Sequence, residues 1–309
     1  MTVKYFSMFS GIGGFELGLE AASKTTNTNF ECVGYSEIDK HAIQTYERHF
    51  NHEPYGDATI INPATVPNID LLVGGFPCQA FSIAGKRKGF ADTRGTLFFD
   101  IARILNHHKP KHFILENVKG LLSHAGGATF RTIITTLDEL GYCVEWALLN
   151  SKNYGVPQSR ERVYLVGHFG GPPEREVFSP VGPSNPHSTV GKSTETAVAR
   201  TLTAGGNSGG NHSGMTILEL TGARSQSQRL YDPAGISPTI STGGASTGGS
   251  EVPKIHVPPR IRRLTPTEFE RLQGFPDGWT VGSDTQRYKQ LGNAVTTNVV
   301  QAIAERLYV

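Results

Sequence analysis

One cysteine, Cys78, stands directly behind the run Leu71-Leu72-Val73-Gly74-Gly75-Phe76-Pro77, the position in the chain best suited to covalent chemistry. The apolar run reads as a buried strand that Pro77 turns away. The thiol therefore falls at the carboxyl edge of a sheet, where open α/β folds bind their ligands. A free cysteine there is either a small buried hydrophobe or a nucleophile. Glu116 follows a second apolar run, His112-Phe113-Ile114-Leu115, and also falls at a strand end. A thiol and a carboxyl on adjacent strand ends make a nucleophile and acid pair, the plainer alternative being a carboxylate that caps a loop. Gln158-x-Arg160-x-Arg162 alternates ahead of a buried strand. In extended backbone these three side chains share one face, and the arginines suit an anion or the edge of a base.

A second constellation suits a nucleoside. Phe9-x-Gly11-x-Gly13-Gly14 lies between a short strand over 3–8 and a helix carrying Phe15, Leu17, Leu19 and Ala22. Glycines let backbone approach a ligand closely, and the helix amino terminus offers free N–H groups, although a tight turn also uses glycine for steric reasons alone. Glu37 ends the next strand, over 30–36, where it can accept hydrogen bonds from ribose hydroxyls. The spacing is not Gly-x-Gly-x-x-Gly, which favours adenosine without a pyrophosphate. Asp57 is placed either for an adenine amino group or as a helix cap.

The elements that position these groups alternate. Strands are expected over 3–8, 30–36, 70–74, 112–115 and 163–166, with helices over 40–50, 97–107 and 132–140 and a further βα unit closing at Gly56-Asp57. This alternation predicts an α/β fold with a doubly wound, mostly parallel sheet. From about 170 to 259 the composition shifts to Gly, Ser, Thr and Pro, with strand-like pieces over 215–220 and 229–231, which predicts a smaller, loop-rich domain. Regular patterning resumes at Arg260, and 294–307 reads as one amphipathic helix.

The whole chain has 309 residues, a formal net charge of +2 and 36 glycines. So small a charge excludes nucleic-acid binding through bulk electrostatics and leaves local clusters. Lys86-Arg87-Lys88, flanked by Gly85 and Gly89, is one, readable as a mobile loop facing phosphate or as a solvated basic loop. Arg260, Arg262 and Arg263 form another. Three cysteines without regular spacing argue against a disulfide framework or a zinc site, and no apolar run reaches membrane-spanning length. A cytoplasmic enzyme without a metal is expected.

Six blocks, in order, resemble the DNA (cytosine-5)-methyltransferase family of the bacterial single-chain type: Phe9-Ser10-Gly11-Ile12-Gly13-Gly14, Gly75-Phe76-Pro77-Cys78-Gln79, Glu116-Asn117-Val118, Gln158-Ser159-Arg160-Glu161-Arg162, Arg263-Leu264-Thr265-Pro266-x-Glu268 and Gln290-Leu291-Gly292-Asn293-Ala294-Val295. The resemblance implies an S-adenosylmethionine-dependent methyltransferase fold: a catalytic domain over 1–169, a target-recognition domain over 170–262 and a returning segment over 263–309. It implies Cys78, Glu116, Arg160 and Arg162 as catalytic residues. For the cofactor it implies Phe9, Gly11, Ile12, Gly13, Gly14, Glu37, Ile38, Asp57, Ala58, Pro77, Leu97, Asn293 and Val295. For double-stranded DNA it implies Gln79, Ser82, Lys86, Arg87, Lys88 and Arg160, with Thr239-Ile240 favoured over Thr201-Leu202 as the recognition element.

The implied activity is transfer of a methyl group from S-adenosylmethionine to C5 of a flipped-out cytosine at a specific sequence, by a monomer whose cognate restriction endonuclease, if present, acts separately. One branch of the family acts on tRNA, so a tRNA cytosine-5 methyltransferase is the alternative, and a silent DNA-binding regulator a second. The long region before Arg260 favours a reader of DNA sequence, and intact Cys78, Glu116 and Arg160 favour an enzyme.

Overall fold

The computed structural model describes residues 1–77, 97–178, 217–218, 230–231, 254–257 and 260–308. Cys78, Gln79, Ser82, Lys86, Arg87, Lys88, Thr201, Leu202, Thr239 and Ile240 lie outside the described residues. The chain divides into two compact units: Met1–Leu149 with Arg162–Ser179 and Val300–Val309, and Asn150–Glu161 with Pro180–Val299.

In the first unit the order is β1 (Thr2–Met8), α1 (Gly14–Thr25), β2 (Asn29–Ser36), α2 (Lys40–His49), β3 (Leu71–Gly75), α3 (Leu97–His108), β4 (His112–Val118), α4 (Ala128–Glu139), β5 (Tyr142–Asn150) and β6 (Glu161–Phe169). The six strands form one sheet in the order β2-β1-β3-β4-β6-β5. β1 pairs in parallel with β2 and β3, and β3 with β4, whereas β6 runs antiparallel to β4. The mostly parallel sheet expected from the alternating pattern is therefore present, with the order reversing around β1 and β3.

Near-continuous apolar runs in β3 and β4 fit strands covered on both faces. Phe6, Met8, Leu72, Phe113 and Leu115 join Phe98, Ile101 and Leu105 of α3 and Ile133 and Leu137 of α4 in one buried cluster. Leu71, Val73 and Ile114 alternate with these and are also wholly buried.

Within this sheet and its helices, three differences from the sequence expectation stand out. No strand ends at Gly56-Asp57. Pro54 makes a single bridge to Tyr35, and a 3-10 turn follows at Pro63–Thr65, because two prolines and Gly56 interrupt any ladder. α4 begins at Ala128, four residues early, since Gly127 at φ 83° ends the preceding turn directly before it. β5 was not anticipated, although Tyr142, Val144, Trp146 and Leu148 alternate. It lies at the edge of the sheet with Trp146 and Leu148 exposed, and so lacks the continuous apolar run of its neighbours.

The second unit contains β7 (Ile217–Leu218), β8 (Leu230–Tyr231), β9 (Lys254–Val257) and β10 (Arg260–Arg263), paired in the order β10-β9-β8-β7. Then follow α5 (Pro266–Leu272), α6 (Asp284–Asn293) and α7 (Thr297–Leu307), the last of which belongs from Val300 onward to the first unit. The last helix starts three residues later than its amphipathic pattern, because Ala294 is extended at ψ 147°. Thr265 caps α5 in a reciprocal capping box with Glu268, and the paired Arg262 guanidinium holds the Glu268 carboxyl down at about 2.

The loop between α5 and α6 is organised by one wholly buried carboxylate, Glu270. It accepts hydrogen bonds from the N–H groups of Gly278 and Thr280, the Thr280 hydroxyl and Arg287. Burial opposes its ionisation, but these donors outweigh burial and hold the carboxyl below its usual range. Glu270→Ala strands two backbone donors and Arg287 at once. The variant is expected to lose about 3–5 kcal/mol of stability, measured as a lowered urea midpoint in circular dichroism.

Candidate active site

β1 delivers the chain into a turn that ordinary residues avoid. Phe9, Gly11 and Gly13 all have left-handed backbone, at φ 56°, 57° and 87°. Ser10 donates its N–H to the Ser36 carbonyl, and Gly13 donates to the Ser10 carbonyl, closing the turn onto the start of α1. A side chain at Gly13 would place its Cβ 2.4 Å from the Phe50 ring, so close packing as well as φ requires glycine there. At Gly11 a Cβ would meet nothing within 4 Å, which leaves the outer side of the turn open. Ile12 and Gly14 are buried beneath it, and Phe9 packs partly buried against the core.

Glu37 ties this turn to the end of β2. One carboxylate oxygen accepts the Gly11 N–H at 2.9 Å, and the other accepts the N–H groups of Ile38 at 2.7 Å and Asp39 at 2.8 Å. Beside it Ile38 is 72% exposed, an apolar side chain held out at the strand edge. Asp57 caps a turn, accepting from the N–H and hydroxyl of Thr59, and Ala58 is buried next to it. The structure thus gathers Phe9, Gly11, Glu37 and Ile38 at the carboxyl ends of β1 and β2. This open backbone turn, carboxylate and exposed apolar side chain suit a nucleoside's hydroxyls and base face.

The second group lies one and two strands away. β3 and β4 run in register, so that Gly75 pairs with Glu116. A Cβ at Gly75 would sit 3.3 Å from Glu116 Oε2, so the absence of a side chain makes room for the carboxylate. On the other side, β6 pairs antiparallel with β4 and brings Arg162 opposite Val118. The Arg162 guanidinium Nε meets Glu116 Oε1 at 3.0 Å. Asn117 is buried and donates from Nδ2 to the Phe76 carbonyl at 2.8 Å. Pro77 is exposed at the end of the described segment, and Leu97 opens α3 half-buried.

The arginine pair separates. Pro157 has no N–H, and the chain passes through two successive three-residue turns, Gln158 N–H to the Val156 carbonyl and Arg160 N–H to the Gln158 carbonyl. The strand starts only at Glu161, so the single extended face expected for Gln158, Arg160 and Arg162 does not form. Arg160, in the second unit, is 2% exposed and donates to the carbonyls of Gly292 at 3.2 Å and Ala294 at 2.8 Å. It brackets Asn293, which is exposed, while Val295 is buried. Behind them a buried chain runs from Ser151 Oγ to Thr296 Oγ1 to Gln273 Oε1, each step 2.8 Å, and Gln273 Nε2 donates to the Leu291 carbonyl.

Sequence reasoning missed the partner of Arg162 and the task of Asn117. The first signal was the position of Arg162 in a strand beside β4, and the second a carboxamide directly behind a strand-end carboxylate.

The family model described as C-5 cytosine-specific DNA methylase matches residues 3–308. The chain is 40% identical to the type II methyltransferase M1.ScrFI of Lactococcus lactis subsp. cremoris, over 99% of this chain and 78% of that protein. It is 37% identical to the type II methyltransferase M.HhaI of Haemophilus parahaemolyticus, over 98% and 93%. Among solved structures, a putative DNA modification methyltransferase from an Escherichia coli prophage superposes with a TM-score of 0.66 at 20% identity, covering 99% of this chain and 98% of that one, a likeness of fold. Among the described residues no cluster could hold a metal ion and no helix is long and apolar enough to cross a membrane.

Proposed function

We propose, from a chain that belongs to the C-5 cytosine-specific DNA methylase family, that it methylates cytosine C5 in double-stranded DNA at a short specific sequence, using S-adenosylmethionine. The observation that carries this reading is the register of β3 against β4, which sets Glu116 beside Gly75, three residues before Cys78.

Cytosine C5 is too weak a nucleophile to take a methyl group unaided. The Cys78 thiolate adds to C6, and Glu116 protonates or hydrogen-bonds N3 as electron density moves onto the ring. The bond formed at C6 makes C5 nucleophilic. After transfer, a base removes the C5 proton and the Cys78–C6 bond breaks, returning the thiolate. A free thiol has a pKa of about 8.5, so positive charge must favour the thiolate, and Arg162, which meets Glu116 at 3.0 Å, would supply it, while Arg160 would act through the Gly292 and Ala294 carbonyls that it holds. Inside a duplex the base edge is out of reach, so it must be flipped out at a cost of a few kcal/mol.

The turn at Phe9, Gly11, Ile12, Gly13 and Gly14, with Glu37, Ile38, Asp57, Ala58, Pro77, Leu97, Asn293 and Val295, would hold S-adenosylmethionine, which when bound supplies an electrophilic methyl group. Glu37 offers carboxylate oxygens toward ribose, and Ile38 an apolar surface for adenine. Glu37→Ala is expected to weaken cofactor binding by roughly 1–3 kcal/mol. Isothermal calorimetry on the folded variant checks this, and unchanged affinity would remove Glu37 from the cofactor's contacts.

Residues 170–262 would form the target-recognition domain, with Thr239-Ile240 its recognition element. Gln79, Ser82, Lys86, Arg87 and Lys88 would contact the DNA beside the flipped base. A cytoplasmic monomer accompanying a separate restriction endonuclease fits this reading. A duplex carrying 5-fluorocytosine at its target, incubated with S-adenosylmethionine, tests the chemistry, because after methyl transfer fluorine cannot leave C5 as a proton does. The expected result is a stable covalent protein–DNA complex, and its absence on a methylatable duplex would refute attack at C6.

A further inference from the structure

The β3–β4 ladder stops at Gly75↔Glu116, one residue short of the turn that carries the thiol. The next rung would join Phe76 to Asn117. In its place Asn117 Nδ2 donates to the Phe76 carbonyl at 2.8 Å, and Asn117 Oδ1 accepts the Val118 N–H at 2.8 Å. The side chain thus continues the sheet where its backbone pairing ends. Pro77 follows and has no N–H with which to tie the turn itself. Asn117 is 1% exposed and Phe76 3%, so both halves of the bond are removed from water. Phe76 is also held by packing on Phe98, at 5.6 Å between ring centroids. Cys78 stands two positions after Phe76 in the sequence, a reach of about 7 Å at full extension. Glu116 is adjacent to Asn117 in the same strand, fixed by Arg162 and by its place over Gly75.

From this arrangement we infer that Asn117 is a positioning residue for the cysteine nucleophile: its carboxamide locks the Phe76-Pro77 turn to the strand that bears Glu116, setting thiol and acid in one frame. The inference rests on the roles proposed above for Cys78 and Glu116. Asn117 touches neither base nor cofactor, and its loss should slow thiol attack and leave cofactor binding alone.

Asn117→Ala and Asn117→Asp test this through the rate of covalent trapping on a 5-fluorocytosine duplex, alongside cofactor affinity by calorimetry. Misplacement of a reacting group by about 1 Å slows its reaction by roughly 10²-fold, and a loss of that order is expected for Asn117→Ala. The aspartate is nearly isosteric, so it keeps the measurement available if the alanine variant does not fold. Its carboxylate would face the Phe76 carbonyl in a buried place, which favours the protonated acid. Once protonated, that acid can donate the missing hydrogen bond. The ratio of Asn117→Asp to wild-type trapping should therefore rise as pH falls. Lost packing alone would leave the ratio flat. Trapping of folded Asn117→Ala at the wild-type rate, or a flat ratio, overturns the inference while leaving the proposed function intact. A wild-type protein that traps no DNA removes both.

Discussion

Cys78→Ser is expected to abolish methyl transfer while leaving the affinity for S-adenosylmethionine unchanged. A thiol with a pKa of about 8.5 is brought to its reactive thiolate by neighbouring positive charge, whereas a serine hydroxyl stays protonated without a dedicated base. The variant exchanges one sulfur for one oxygen, and the turn over 9–14 with Glu37 and Ile38, which carries most of the proposed cofactor contacts, follows β1 and β2, whereas Cys78 follows β3. Binding and chemistry should therefore separate cleanly. Radiolabelled methyl incorporation and calorimetry measure the two. Substantial residual activity would mean that the thiol is not the nucleophile.

Glu116→Gln should lower kcat by roughly 10²–10⁴-fold, the range that positioned proton transfer contributes. The glutamine retains the shape over Gly75 and can hydrogen-bond N3, but it delivers no proton. It also leaves the Arg162 guanidinium, paired with Glu116 at 3.0 Å, without its counter-charge. Some loss of stability should accompany the kinetic effect, as for other paired charges sheltered from water. Single-turnover kinetics on the folded variant give the rate, with chemical denaturation run in parallel. A normal rate would leave Glu116 as a structural partner of Arg162 only.

The parts of this molecule legible in the sequence were those set by continuous apolar runs and glycines. Leu71-Leu72-Val73 and His112-Phe113-Ile114-Leu115 declared β3 and β4, and their ends located the turn before Cys78 and Glu116. Gly11 and Gly13 declared the open turn, and both take the left-handed backbone that glycine tolerates. The pairwise contacts were not legible. Nothing in Gln158-Ser159-Arg160-Glu161-Arg162 announces that one arginine meets Glu116 and the other the carbonyls of Gly292 and Ala294. Pro157 hinted at it by breaking the extended run. β5 escaped notice because an edge strand with Trp146 and Leu148 exposed carries only alternation, which a short window does not separate from loop. Glu37 was legible as an acidic strand end, but not as the acceptor that braces Gly11.

The most direct test of the central claim is nucleoside analysis of DNA after incubation with the protein and S-adenosylmethionine carrying an isotopically labelled methyl group. Duplex DNA containing many short sequences is digested completely, and the labelled nucleosides are separated by liquid chromatography and identified by mass spectrometry. The account predicts label in 5-methyldeoxycytidine and in no other nucleoside, with none when Cys78→Ser replaces the wild-type protein. Label in N4-methyldeoxycytidine or N6-methyldeoxyadenosine would contradict attack through the thiol, and label confined to transfer RNA in a parallel incubation would contradict DNA as the substrate.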